Sequence, residues 1–224
     1  MSVVRVVEPA TEQVMAELPQ AGADEADAAI ARAREAFPAW RRVAPGERAV
    51  LMRSVAAAVR DRAGELATLE ARNAGKPISD ARGEVGMVAD VFDYYAGAPE
   101  RLLGDTIPVA GGVDFTFREP LGVVGLITPW NFPLAIPAWK IAPALAYGNT
   151  VVLKPADLVP GSAWAIAEIL QRAGVPEGVF NLVMGRGSVV GEAIPEAPDV
   201  AGVSFTGSVD TGRLIAQKCA ARLA

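Results

Sequence analysis

The sequence predicts an α/β chain with a helical layer over residues 1–105, a β-hairpin arm over 106–120, and a parallel sheet covered by helices on both faces over 121–224. Three patterns carry that expectation. Residues 24–95 are Ala-rich with helical periodicity. Residues 106–118 alternate apolar and polar around a Gly pair. After Pro120, apolar runs of strand length alternate with helical segments across short connections, the rhythm of right-handed crossovers between parallel strands.

The helical layer reads as "DEADAAIARAREAF", "PGERAVLMRSVAAAVRDRAGELATLEARNAG" and "ISDARGEVGMVADVFDYYAG". Asp24, Pro45 and Ser79 stand where caps or first-turn residues belong, because a helix start leaves N–H groups that a short oxygen-bearing side chain can accept and that proline lacks. Gly75 followed by Pro77 marks a stop. The arm is "TIPV" and "VDFTFRE" turned at Gly111 and Gly112, two strands that need a partner surface to be stable. Beyond it, "GVVGLIT", "TVVLK", "VFNLVMG" and "VAGVSF" are strands, near-continuously apolar as burial on both faces requires. Helices are expected over 133–146, 161–173, 188–194 and 208–223. The charges of "ARNAGKPISDARGEV" are assigned to solvated helix faces.

Bulk properties narrow the function. With 224 residues, 51% of them hydrophobic, the chain can bury a sizeable core. The 21 Lys and Arg against 26 Asp and Glu, with no long run of one sign, argue against a nucleic-acid partner and against a basic membrane patch. Apolar windows are broken by Pro, Gly and charge well before the ~20 residues that a spanning helix needs. One cysteine and no leader-like N-terminus predict a reduced, cytoplasmic setting. The absence of histidine removes the commonest metal ligand and general base, so no metal site is expected.

In a parallel sheet of this kind ligands gather at the carboxyl ends of the strands, and the residues there are specific. "TPWNFP" follows the first strand. Pro129 and Pro133 restrict its backbone, so the amide of Asn131 either aims at an anionic oxygen or caps the helix starting near Pro133. Trp130 borders a ligand or simply packs. "KPAD" ends the second strand, and its Lys154 and Asp157 either grip a vicinal diol such as a ribose or form a surface ion pair. Gly187 and Gly191 of "GRGSVVG" allow close approach of a flat ring or backbone. In "FTGSVDTGR", Gly207 and Ser208 open a helix whose N-terminus suits a phosphate, and Gly212 permits close packing one turn later. Alone, the last of these is weak, since glycine turns between strand and helix are common; the ordered combination lifts the signal.

In this order, after successive strands, "TPWNFP", "KPAD", "GRGSVVG" and "FTGSVDTGR" resemble the aldehyde dehydrogenase superfamily, in its amino-terminal portion. The resemblance implies a Rossmann-like cofactor domain that binds NAD, with NADP not excluded. It further implies oxidation of an aldehyde to a carboxylic acid, in which a cysteine thiolate attacks, the tetrahedral intermediate yields hydride to nicotinamide, and a glutamate-activated water releases the product. Carried onto this sequence, Asn131 belongs to the oxyanion hole. Ile127, Thr128, Pro129 and Trp130 contribute contacts beside the cofactor, and Lys154 with Asp157 holds the adenosine ribose. Gly187 and Gly191 border the adenine, and Phe205, Gly207 and Ser208 line the pyrophosphate. Residues 114–119 resemble part of an oligomerisation arm, which implies a homodimer or homotetramer for the full-length form. "DVFDYYAGAPERLLGDTIP" is similar to the branch that handles betaine aldehyde, aminoaldehydes and semialdehydes.

The family's nucleophilic cysteine and general-base glutamate are expected downstream of residue 224, together with a further strand for the sheet. Cys219, inside the last helix and with no histidine to act as base, reads as a small core residue. The isolated chain is therefore expected to bind cofactor without turning over substrate. The alternative is a nucleotide-binding or interaction module without catalysis.

Overall fold

A computed structural model describes residues 2–222. The chain opens with an antiparallel hairpin that the sequence reading did not anticipate, strands β1 (Val3–Val7) and β2 (Val14–Pro19). Its Val-Val-Arg-Val-Val run is short and half-exposed, so its pairing is decided across a loop rather than by local pattern. Helices α1 (Ala23–Trp40), α2 (Pro45–Asp61), α3 (Ala63–Ala74) and α4 (Ile78–Ala96) follow. The long segment that begins at Pro45 divides at Arg62, which leaves helical geometry (φ −101°, ψ 16°) and pairs with Glu65 of the next turn. Gly75 ends α3 in the left-handed conformation at φ 73°, where a Cβ would be strained.

The arm is β3 (Thr106–Val109) and β4 (Gly112–Phe115), antiparallel and joined through Ala110 and Gly111, the latter at φ 81°. Every residue of both strands is exposed. Beyond it lie β5 (Val123–Ile127), α5 (Ala135–Ala146), β6 (Thr150–Lys154), α6 (Pro160–Arg172), β7 (Phe180–Leu182), α7 (Val190–Glu196), β8 (Val200–Phe205) and α8 (Val209–Ala220). The helix expected over 208–223 reaches Ala220, and Leu223 lies outside the described residues. The strand expected over 179–185 shortens to Phe180–Leu182, the residues in register with β6, with Val179 and Val183 each adding one backbone hydrogen bond to it.

The four strands form one parallel sheet in the order β7-β6-β5-β8. All of β5 and β6 is buried. Val124, Leu126, Val151 and Leu153 face α2, α4, α5 and α6 in the main core with Met52, Leu66 and Phe92. Val123 and Val152 face α1 and α7 in a second core with Ile30 and Ile194. Burying a Val, Leu or Ile side chain stabilises by roughly 1.5–3 kcal/mol, so these central strands carry the fold and the exposed β3–β4 hairpin contributes little. Gly125 of β5 matters here: a Cβ on it would collide with Ile194, so its absence lets α7 lie directly on the sheet.

Candidate functional site

The strands end level, which gathers the sequence-predicted residues at one rim. Ile127 of β5 is in register with Lys154 on one side and Phe205 on the other. Past that register the Thr128 N–H donates to the Lys154 carbonyl at 3.1 Å, and the Thr206 N–H to the Ile127 carbonyl at 3.0 Å. Asn131, Asp157, Gly187 and Ser208 therefore all follow the carboxyl ends of adjacent parallel strands.

The "TPWNFP" loop offers a free amide. Helix α5 begins at Ala135 with Leu134 as its N-cap, and no side chain of the loop caps it, so Asn131 is not spent on that task. Asn131 is exposed, and Trp130 beside it is 60% exposed rather than packed in the core. Thr128, beneath them, is buried with a hydroxyl that has no partner among the described residues. A buried unpaired hydroxyl costs about 1–3 kcal/mol, which leaves an acceptor and donor in reserve at the rim.

Lys154 is the most informative residue. It closes β6 and is only 5% exposed. Burial pushes its ammonium below the usual lysine range, and the charge of Asp157 acts in the opposite direction through space without an ion pair between them. The surface ion pair considered from sequence is thus not what the structure shows. Gly187 lies close by, since a Cβ on it would stand 3.9 Å from the Lys154 Nζ. "KPAD" and "GRGSVVG" meet there. Gly191, in the first turn of α7, has nothing within 4 Å of the place a Cβ would take.

Ser208 is the N-cap of α8, and its Oγ accepts the Thr211 N–H at 3.3 Å. Its hydroxyl is engaged by its own helix, so any anion at this end must rely on the backbone N–H groups. The Phe205 ring folds over Gly207 and Gly212 and would meet a Cβ on either, at 2.5 and 3.3 Å. Ile127 packs with Ile215 and Cys219 beneath α8, which makes the one cysteine a buried core residue.

Sequence reasoning missed two groups. Arg186, after β7, shares with Asp157 the wall of a cleft of about 520 Å³ that also includes Val4, Glu17 and Gln20 of the N-terminal hairpin region. Its Nε donates to the Gln20 Oε1 at 3.1 Å. The hint in sequence was a cation in a strand-end loop. The second group corrects an expectation: the charges of "ARNAGKPISDARGEV" do not all face solvent. Glu84 is buried at 3% exposure and Lys76 turns inward to pair with it and with Glu70, which is fully buried.

The model of the aldehyde dehydrogenase family matches residues 2–224. The chain belongs to the aldehyde dehydrogenase family. Among curated aldehyde dehydrogenases, it is 42% identical to the NADP(+) succinate-semialdehyde dehydrogenase GabD of Escherichia coli (strain K12) over 97% of this chain and 45% of that protein. It is 40% identical to aminoaldehyde dehydrogenase 2 of Zea mays over 94% of this chain and 44% of that protein. It spans a little under half the length of these relatives. Among solved structures, the NAD+ complex of an aldehyde dehydrogenase from Bacillus cereus matches with a TM-score of 0.96 at 39% identity, over 99% of this chain and 46% of that one. Lactaldehyde dehydrogenase from Escherichia coli matches with a TM-score of 0.97 at 40% identity, over all of this chain and 47% of that one. The expected family and fold class are borne out, down to the parallel sheet.

Proposed function

We propose that this chain is the dinucleotide-binding portion of an aldehyde dehydrogenase that oxidises a semialdehyde or aminoaldehyde. The observation that carries the reading is Lys154: a buried ammonium at the rim with no ion-pair partner among the described residues, beside a side-chain-free Gly187 and near Asp157. Burying a charge without a partner is costly, and a ligand hydroxyl accepting from it offsets that cost. Lys154 and Asp157 would hold the adenosine ribose, with Gly187 and Gly191 leaving room for the adenine. Phe205, Gly207 and the backbone N–H groups near Ser208 would line the pyrophosphate, and Ile127, Thr128, Pro129 and Trp130 the path toward the nicotinamide.

Bound nicotinamide supplies a hydride acceptor. The chain's own part in the reaction is the Asn131 amide, exposed and uncommitted, which can donate to the oxygen that becomes negative when the aldehyde carbon turns tetrahedral. Asp157 would repel a 2′-phosphate and favour NAD, while Arg186 on the same cleft would attract one and keep NADP acceptable. The names of relatives that act on succinate semialdehyde and aminoaldehydes support the substrate class.

Cys219 packs against Ile127 and Ile215 and is not placed to attack a substrate. That burial also fits a second reading, a nucleotide-binding module without catalysis of its own, and both readings predict nucleotide binding without turnover by this chain. Titration of the chain with NAD and NADP should show saturable binding, tighter for NAD and lost in Lys154→Ala. A folded chain that binds neither nucleotide overturns the proposal, and aldehyde oxidation by this chain alone would overturn the placing of the nucleophile elsewhere. The exposed β3–β4 arm, with Phe115 and Phe117 uncovered, supports self-association.

A further inference from the structure

Helices α5 and α6 begin immediately after the two rim loops that carry Asn131 and Asp157, and neither has a local side-chain cap; their N-caps are Leu134 and Val159. Their first N–H groups are satisfied from elsewhere. The Glu84 Oε1 of α4 accepts the Ala135 N–H at 3.0 Å, and the Asn73 Oδ1 of α3 accepts the Gly161 N–H at 2.9 Å. Beside the latter, the Ser162 hydroxyl donates to the Glu70 Oε2. Lys76 joins the two ends, since its Nζ donates to the Glu70 Oε1 at 3.2 Å and to the Glu84 Oε2. The same ammonium stands 4.4 Å from the centre of the Phe132 ring, the residue after Asn131.

Above about pH 7, where Glu70 is ionised, one cation between two carboxylates leaves an excess of negative charge, which suits the positive ends of two helices. Each acceptor is buried, and Ala135 with it, so the N–H at the start of α5 has no water to fall back on. We propose that Lys76, held by Glu70 and Glu84, is a positioning residue that sets the Asn131 loop and the Lys154–Asp157 loop against each other. Its effect on ligand binding rests on the reading of the rim as a dinucleotide site. Its effect on the helix starts does not. Replacing the ammonium by an apolar group leaves two facing carboxyl groups without their common partner, so Glu84, which caps α5, and Glu70, which holds the Ser162 hydroxyl in the first turn of α6 next to the Asn73 cap, must then move or protonate.

The test compares Lys76→Met and Lys76→Arg with the unaltered chain. Amide hydrogen exchange at Ala135, Gly161 and the residues of β6 is followed by NMR without nucleotide, and NAD is titrated by calorimetry. Lys76→Met should speed exchange at both Ala135 and Gly161 by about tenfold or more while β6 stays protected, and weaken NAD binding by a similar factor. Lys76→Arg should restore both. A folded Lys76→Met chain in which either helix start keeps its protection overturns the proposal. Should Lys76→Met fail to fold, Glu84→Gln keeps an acceptor for Ala135 but gives up the charge that holds Lys76. Faster exchange at Gly161 in that variant supports the coupling, and unchanged exchange there overturns it. If the unaltered chain binds no NAD while both helix starts respond, the dinucleotide reading falls and the coupling stands.

Discussion

The carboxylate of Glu84 accepts the backbone N–H of Ala135 at 3.0 Å, joining residues 51 apart in sequence. A helix that starts at the rim of the sheet is thus capped from a different layer. The Glu84→Ala chain loses that acceptor and one of the two carboxylates around Lys76. It should be less stable by about 2–4 kcal/mol, with Glu84→Gln losing less, measured as the shift in urea midpoint at constant slope. Equal losses in the two variants would show that the charge, not the acceptor, is what matters.

Stability should fall as pH rises toward and through neutrality because of Glu70. Burial raises its carboxyl from the ordinary 4.5 to about 7, with the nearby charge of Glu84 acting the same way and Ser162 and Lys76 opposing. The folded state therefore holds a proton that the unfolded chain releases. That contribution is complete below the unfolded value and is lost as pH rises through the folded one. Urea midpoints at about pH 5 and pH 8 should differ in that direction, and Glu70→Gln should flatten the difference. A steeper slope in Glu70→Gln would contradict the assignment.

Lys154→Met should separate stability from binding. An apolar side chain of similar length replaces a buried ammonium that lacks an ion pair among the described residues, so the thermal midpoint should hold or rise while NAD affinity drops about tenfold or more. A variant that melts lower and binds normally would mean that Lys154 serves the fold instead.

The exposed arm should be the site of self-association. Phe115 and Phe117 are 63% and 83% exposed. Changing both to Ser should shift the chain toward monomer in light scattering coupled to size exclusion, with no change in far-UV circular dichroism. Unchanged mass would place the interface elsewhere.

Gly161 lies where a Cβ would be 2.7 Å from the Asn73 Oδ1. Gly161→Ala should displace that cap and cost about 1–2 kcal/mol despite alanine's better helix propensity. A gain in stability would show that Asn73 yields freely.

Much of the fold was legible because its signals are local. The apolar runs of β5 and β6, the stop at Gly75 and Pro77, and the turn at Gly111 each depend on a few neighbouring residues, and the structure places them as expected. The N-terminal hairpin was not legible, since Val3–Val7 becomes a strand only by meeting Val14–Pro19. At the rim, the positions of Asn131, Lys154 and Gly187 could be read from strand ends, but their states could not. Lys154 is buried without an ion pair among the described residues, and the Ser208 hydroxyl is taken by Thr211.

By itself the sequence determined the succession of strands and helices and which residues follow each strand, because periodicity, turn residues and short crossovers act over a handful of positions. Only the tertiary structure decided that Lys76, Glu70 and Glu84 lie inside, beside the starts of α5 and α6. Whether a charge meets water or a distant partner depends on which surfaces pack together, and that is set by contacts between α3, α4, α5 and α6 far apart along the chain.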